Sequence, residues 1–295
     1  MTDLERFIDQ AWTDHASDSP AVALRLPHAI DLVADEDGLV NLAHLAHHVY
    51  GDHLAQWADG LKYLAALARR PAFDAHGTSG AALLRYRASL GLAAGDSDVR
   101  GTLQTSDRIR VGAMAAAALA AHDAGRATGL LQEALEEARS ASLPAGDPAF
   151  RSLAAGGNNL AASLQEKADL SPLERELMLL GARTGREYWE RAGTWLEVER
   201  AEHRLAMCWL AAGDALRARE HAQACLEIVH GQAATPAEAP PLERFFGWVA
   251  LGLAERAAGG GTGLVRARAE AQAAFDSLGA DDQGWCRPSL DKLAA

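Results

Sequence analysis

Four histidines stand close together in one predicted helix and could act as metal ligands. His44, His47, His48 and His53 follow the pattern H-x2-H-H-x4-H, in which His44 and His48 are four residues apart and share a helix face. Imidazoles at this spacing can bind Zn²⁺, but a zinc site needs three or four ligands. The nearest carboxylate, that of Asp52, is predicted on a different face from His44. The pattern therefore predicts no stoichiometric metal ion and favours hydrogen bonding or stacking by these imidazoles.

Three other motifs suggest chemistry, but their neighbouring residues exclude it. The glycines from Gly259 to Gly263 lack both the Gly-Lys-Ser/Thr and the preceding strand of a phosphate-binding loop, so they predict a helix–helix turn. Asp35-x-Asp37-Gly38 lacks the first and last ligands of a calcium loop, because a valine and a histidine stand at those positions. Gly77-Thr78-Ser79-Gly80 lacks the spacing of a nucleophile elbow, so Ser79 is predicted to cap the following helix.

The composition predicts an all-α chain with a surface unsuited to polyanions. About a fifth of the residues are alanine, the strongest helix former, and the strand-favouring Val, Ile and Thr are sparse. The formal net charge is -12, and the chain has only three lysines. Because affinity for nucleic acid comes largely from neutralised phosphates, we expect no nucleic-acid partner.

The N-terminus and the cysteines indicate which cellular compartment to expect for the protein. Met1-Thr2-Asp3-Leu4-Glu5 lacks a basic region followed by an apolar run, so we expect no secretory signal. No stretch approaches the ~18 uncharged apolar residues of a membrane span. Cys208, Cys225 and Cys286 are odd in number and unclustered. These features predict a reduced, cytoplasmic protein without a membrane partner.

A large apolar residue followed by a small one recurs at nearly constant intervals along the chain. The pairs are spaced 46, 45 and 46 residues apart and comprise Met114-Ala115, Leu160-Ala161, Leu205-Ala206 and Leu251-Gly252. Each interval fits two helices, and such units bury a continuous core only by stacking on their neighbours. The sequence therefore predicts an α-α superhelix, a solenoid of stacked antiparallel helix hairpins forming a single domain over residues 1–295.

Helical periodicity and turn residues divide this predicted domain into three parts. N-terminal helices occupy 1–38: a first helix covers 3–15, and a second begins at the Ser19-Pro20 cap and is kinked or split at Pro27. Asp35 to Gly38 is predicted to be a turn. Repeats occupy 39–278, and a C-terminal helix over 281–293 caps the last hairpin, as a solenoid requires.

The repeats are predicted to be regular except over residues 72–104. That stretch has one clear helix near 79–93 and room for a short second one. The remaining residues form hairpins whose breaks carry glycine, proline and aspartate. The predicted hairpins pair 39–54 with 56–69, 106–122 with 126–142, 148–168 with 172–192, 194–212 with 214–231, and 241–258 with 264–278.

The segment from Leu205 to Leu226 resembles a tetratricopeptide repeat. It has a Leu-Ala pair, an aromatic residue at Trp209, the turn Gly213-Asp214 and small residues along the second helix. A second match, Trp248 to Gly252, carries that family's Trp, Leu and Gly at their usual separations. The resemblance covers roughly 39–278 and is strongest over 194–278. It implies a tetratricopeptide-like superhelix, which is divergent because the family's usual interval is ~34 residues. The resemblance also implies a concave groove that binds a peptide or protein segment.

Asn158-Asn159-Leu160-Ala161 is similar to the Asn-Asn-Leu-Ala of kinesin light chain repeats, whose first-helix asparagines face the groove and hold peptide backbone. An amide offers an extended chain both a donor and an acceptor. In the next unit, Arg200, His203 and Arg204 are expected on the corresponding inner face. In the alternative, Asn159 satisfies a neighbouring backbone group, and the arginines pair with glutamates of their own helix, Glu197, Glu199 and Glu202.

The sequence thus predicts a non-catalytic scaffold without a cofactor that binds a protein or peptide partner. The polar inner face favours an extended segment with an acidic group or a chain terminus. The predicted partner-binding residues are Asn158, Asn159, Arg200, His203 and Arg204, together with His44 and His48. Two alternatives stay open: a metal-dependent enzyme or metal-binding protein using the His44 to His53 cluster, and a sensor for a small ligand or peptide.

Overall fold

A computed structural model describes residues 1–235 and 239–294, and this part of the chain is all-α, without a strand. The predicted fold class is confirmed, because the helices pack in chain order as adjacent pairs. Two 3₁₀ turns, Ile30–Leu32 and Asp98–Thr102, and a π-helical segment, His48–His53, complete the secondary structure described. The α-helices are α1 (Asp3–Ala29), α2 (Glu36–His47), α3 (Trp57–Leu67), α4 (Thr78–Ala94), α5 (Thr105–Leu119), α6 (Ala124–Ser140), α7 (Pro148–Gln165), α8 (Pro172–Ala192), α9 (Trp195–Ala211), α10 (Ala215–His230), α11 (Pro241–Ala257), α12 (Thr262–Asp276) and α13 (Ala280–Ala294).

The chain divides into two compact units, Met1–Gly156 and Gly157–Ala295. In the first unit, α4 packs against α2, α3 and α5, and α5 packs against α6. In the second, each helix from α8 to α12 packs on the next, and α13 packs on α11 and α12. The C-terminal helix therefore covers the last hairpin, as the sequence predicts. The grouping of residues 1–295 into a single domain stays a prediction.

The recurring large–small pairs are packing positions. Leu160, Ala161 and Ala206 are fully buried. A Cβ atom on Gly252 would lie 2.5 Å from a methyl group of Leu293, so the glycine leaves room for this side chain of α13. A Cβ atom on Gly157 would lie 2.6 Å from the carbonyl oxygen of Gly181, so the backbones of α7 and α8 approach closely. The small residues allow this close packing, as the repeat pattern predicts.

The break in the first helix lies at Asp18. This residue has non-helical dihedral angles, φ -149° and ψ 64°, and its carboxylate accepts a hydrogen bond from the backbone N–H of Ala21 over 3.0 Å. Asp18 therefore caps the second half of α1, and the prediction of a Ser19 cap is wrong by one residue. The predicted split at Pro27 is also wrong, because α1 continues through Pro27 and ends at Ala29, whereas a kink at Pro27 stays a prediction.

Asp35 to Gly38 begin α2, so the turn predicted there is wrong. The Asp35 side chain accepts a hydrogen bond from the N–H of Gly38 over 2.8 Å, and Glu36 and Asp37 occupy the first helical turn. Carboxylates at this end of a helix satisfy free N–H groups and interact favourably with the helix dipole. The same acidic residues that indicate a turn are therefore also a helix-start signal.

Residues 72–104 contain α4 and the short 3₁₀ turn, in agreement with the predicted irregularity. Ser79, however, is not the cap of α4, whose capping position is Gly77. Ser79 is fully buried, and both its backbone N–H and its hydroxyl donate to Oε1 of Glu36 over 2.8 Å. The side chain thus joins the starts of α2 and α4.

No helix in residues 1–235 and 239–294 combines the length and the apolar character needed to cross a lipid bilayer. Cys208, Cys225 and Cys286 are free and buried.

Candidate functional site

One face of α9 lines a cavity of about 370 Å³ in the second unit. The lining residues of α9 recur at helical spacing, which places them on a single face. They are Glu199, Arg200, His203 and Arg204. The other helices contribute Asn158 from α7, Leu242, Glu243 and Phe246 from α11, and Trp285 from α13.

The cavity brings together four of the five groove residues that the sequence predicts in this region. Asn158 lines it beside Arg200, His203 and Arg204. Asn159 does not line it and is exposed on α7. The two asparagines are adjacent in sequence, so their side chains leave α7 about 100° apart, and only one can face a given cavity.

Aromatic rings form one wall of the cavity. His203 and Phe246 meet edge to face with ring centroids 5.8 Å apart, and Phe246 meets Trp285 edge to face at 5.1 Å. Trp285 is 63 % exposed, which is unusual for a large apolar side chain. Burial, with a smaller contribution from Arg204, lowers the pKa of His203 to about 4, so this imidazole is neutral at pH 7. The wall is therefore aromatic and uncharged.

The two arginines have different partners. Arg200 forms an ion pair of 3.2 Å with Glu243, although its side chain is 61 % exposed. Arg204 donates from Nη1 to the amide oxygen of Gln165 over 2.7 Å, and its Nε is buried without a hydrogen-bond partner among the described residues. Gln165 is neutral, and no carboxylate of the described residues forms an ion pair with Arg204. Arg204 therefore brings to the cavity a positive charge that forms no ion pair with a described carboxylate.

Glu199 is the most deeply buried acid at the cavity, with 2 % exposure. Burial raises its pKa to about 7, and repulsion by Glu243 adds to the effect. The thiol of Cys225 donates a hydrogen bond to its Oε1. A protonated Glu199 carboxyl group is therefore accessible near neutral pH.

His44 and His48 belong to the first unit and are not among the residues that line this cavity. The ring of His44 is stacked on that of Tyr86, with an interplanar angle of 8° and centroids 6.1 Å apart. Nδ1 of His48 instead lies 2.7 Å from Oδ2 of Asp52, and its Nε2 lies 3.0 Å from Nε2 of His53. The imidazole that meets His48 is therefore that of His53, and not that of His44, which the helical spacing places on the same face.

Sequence reasoning missed the aromatic wall, although one signal for it was present. The 46-residue interval that relates Leu205 to Leu251 also relates Arg200 to Phe246, so the repeat places Phe246 on the same kind of helix face. Trp285 has no such signal, since α13 follows the last interval.

No protein-family model matches this chain, and no curated protein matches it. The fold places it in the class of all-α, helical-repeat-like proteins. The tetratricopeptide likeness rests on the residues quoted above.

Proposed function

We propose that this chain is a non-catalytic, tetratricopeptide-like scaffold that binds an extended peptide or protein segment in the cavity between α7, α9, α11 and α13. One observation carries the proposal: a cation without a carboxylate partner, a half-buried amide and a partly exposed aromatic wall share one cavity. These groups are Arg204, Asn158, and Phe246 with Trp285.

The chemistry of these groups matches a peptide that carries a carboxylate. A guanidinium binds carboxylates with two parallel hydrogen bonds, so Arg204 is suited to an acidic side chain or a chain terminus. Asn158 can donate to and accept from the adjacent peptide backbone. The rings of Phe246 and Trp285 favour an apolar side chain, and tryptophan and arginine are common binding hot spots.

The size of the cavity limits what enters it. At about 370 Å³ it lies near the lower end of the range for ligand pockets, ~300–1,000 Å³. This volume holds one or two side chains, so the proposed ligand is a short segment anchored at a few residues. The rest of the segment would extend over the surface beside the exposed Arg200 and Asn159.

The thiols near the cavity support a role without covalent catalysis. Burial raises the pKa of Cys208 to about 12, and burial together with Glu199 raises that of Cys225 still further. A thiol nucleophile needs a lowered pKa, so the raised pKa values and the burial of both cysteines argue against nucleophilic catalysis by either thiol. The free, buried thiols also support the proposed cytoplasmic location.

The test is a selection from a random peptide library on the immobilised full-length protein, followed by titration calorimetry with the enriched peptides. Enriched peptides should share a carboxylate close to an aromatic or large aliphatic residue. Arg204→Ala should weaken their binding about tenfold or more, as expected when a charged hydrogen-bond partner is lost. Trp285→Ala should weaken it too, whereas Arg175→Ala, which removes an exposed arginine of α8, should not. The proposal is wrong if no peptide is enriched, or if the enriched peptides bind the Arg204 and Trp285 variants as tightly as the parent.

A further inference from the structure

Three imidazoles from two elements of the first unit converge at one point. His15, His48 and His53 each present a ring nitrogen, and these three nitrogens lie within 4.8 Å of one another. Their ring centroids are 4.6 to 5.1 Å apart. Two of the rings are half-buried and that of His53 is exposed, so the group is accessible from solution.

The π-helical segment is what joins His48 to His53. In an α-helix each residue turns the chain by about 100°, so side chains five residues apart would diverge by about 140°. Here the N–H of Leu54 donates to the carbonyl of Val49, five residues back, over 3.2 Å. This wider turn returns His53 to the face of His48 and brings their Nε2 atoms within 3.0 Å. π-helical turns of this kind occur often at functional sites.

His15 reaches the same point from α1, which packs against the π-helical segment. Its Nδ1 lies 2.7 Å from the backbone carbonyl oxygen of Trp12. A carbonyl oxygen can only accept, so Nδ1 of His15 carries the proton and Nε2 keeps its lone pair. The local backbone thus fixes the tautomer.

Asp52 orients His48 in the same way. Its Oδ2 lies 2.7 Å from Nδ1 of His48, which therefore carries the proton, and the lone pair again falls on Nε2. The other carboxylate oxygen, Oδ1, is buried without a hydrogen-bond partner among the described residues. A carboxylate or carbonyl behind the ring is the usual outer support of a metal-binding histidine, because it fixes the ring and raises the basicity of the ligand nitrogen.

We propose that His15, His48 and His53 bind one divalent first-row transition metal ion, of which Zn²⁺ is the representative. Tetrahedral zinc with Zn–N bonds of about 2.0–2.1 Å places its ligand nitrogens about 3.4 Å apart. The observed separations, 3.0 Å for one pair and at most 4.8 Å for the others, allow this with small side-chain rotations. His53 then holds its proton on Nδ1, the second neutral tautomer. Three histidine ligands leave one coordination position open to water or an external ligand.

This site differs from the one considered in the sequence. In the sequence, helical spacing groups His44 with His48 and offers no third ligand. In the structure, His48 instead lies beside His53, and His15 from another helix is the third imidazole. The inference is independent of the peptide groove, which lies in the second unit and shares none of these residues.

The experiment uses full-length protein purified without an affinity tag and stripped with a chelator. Co²⁺ is titrated by visible absorption, and Zn²⁺ by competition with a chromophoric chelator. The parent should bind about one ion per chain with the strong absorption of four-coordinate cobalt. His15→Ala and His53→Ala should each lose this spectrum, and Asp52→Ala should weaken affinity about 10–100-fold, as expected for an outer-shell partner.

His44→Ala is the matched control, since it removes a neighbouring imidazole, on α2, that is not a proposed ligand. It should bind like the parent. Zn²⁺ should also raise the unfolding temperature of the parent and of His44→Ala, but not that of His53→Ala, whose exposed side chain can be removed without loss of the fold. The proposal is overturned if the parent binds much less than one ion per chain, if His53→Ala keeps the cobalt spectrum, or if His44→Ala loses it.

Discussion

The thiol of Cys225 on α10 donates a hydrogen bond to Oε1 of Glu199 on α9 over 2.8 Å. Glu199 is buried, and burial raises its pKa to about 7. Glu202, one helical turn further along α9, is buried as well, but hydrogen bonds from His221 and Arg186 outweigh the effect of burial and lower its pKa. Two neighbouring glutamates therefore respond to pH in opposite directions.

Replacing Glu199 with glutamine should stabilise the protein at alkaline pH. Between the ordinary pKa of 4.5 and about 7, the folded state holds a proton that the unfolded chain has released, so the free energy of unfolding falls as pH rises through this window. Glu199→Gln removes that loss. We expect the variant to exceed the parent by on the order of 1–3 kcal/mol at pH 8 and to match it near pH 4.5. Urea unfolding at a series of pH values measures the difference.

Glu202→Gln should show the opposite behaviour. Its lowered pKa means that the carboxylate stabilises the folded state above the unfolded pKa, and that this stabilisation is lost as pH falls through the folded pKa. The variant should be less stable than the parent by about 1–3 kcal/mol at pH 7, because Arg186 and His221 lose a charged partner. The deficit should shrink in acid. Parallel pH profiles for the two variants would contradict the assignment of their environments.

Gly213→Val should destabilise the hairpin of α9 and α10. Gly213 has a φ of 84°, and no heavy atom lies within 4 Å of a Cβ placed there, so the cost comes from the backbone conformation alone. A β-branched residue in the left-handed region costs about 1–3 kcal/mol. Gly129→Val is the control, because that glycine has equally open surroundings but lies within α6. Thermal unfolding should show a lower midpoint for Gly213→Val only, and equal midpoints would show that φ does not matter at this turn.

Asn158 and Asn159 should differ in peptide binding. Asn158 lines the cavity, whereas Asn159 is exposed outside it, so Asn158→Ala should weaken binding of a selected peptide about two- to tenfold and Asn159→Ala should leave it unchanged. Calorimetric titration of both variants provides the measurement. An equal loss in both would indicate that the peptide lies along the outer surface of α7.

Arg200 and Arg204 should differ in how their contributions to peptide binding depend on salt. Arg200 is largely exposed, so its contribution to binding should be screened by added salt, and Arg200→Ala should make binding less sensitive to ionic strength. Arg204 has a buried Nε, so Arg204→Ala should weaken binding at low and high salt alike. The check is calorimetry at two salt concentrations, and a salt-dependent loss for Arg204→Ala alone would reverse the two roles.

The sequence predicts most helices well because their ends carry local signals. α9 begins after Thr194, whose side chain forms a capping box with Glu197, and ends before Gly213 in the left-handed conformation. The predicted span, 194–212, is therefore correct to one residue at each end. At Asp18 and Ser19 two good capping residues are adjacent, and the residue chosen from the sequence is the wrong one.

From the sequence, the residues of a candidate site can be grouped only where they belong to the same helix. Arg200, His203 and Arg204 share a face of α9 by spacing alone, so their convergence could be foreseen. Trp285 and His15 reach their neighbours through contacts between helices distant in sequence, for which no spacing rule exists. The π-helical turn adds a second difficulty, since it changes which residues share a face.

That turn makes the length of residues 48–53 as important as their identity. A hydrogen bond to the fifth residue back encloses one more residue than an α-helical bond, so the segment behaves as a helix with a single residue inserted. Deleting one residue between His48 and His53 would allow regular α-helix to form without rotating the following chain, because the π-helical segment already holds one residue more than α-helix needs. The two imidazoles would then be four residues apart and would still share a helix face. Deleting a second residue has no such compensation and would rotate the following chain by about 100°, so that α3 would present a different face to the core of the first unit.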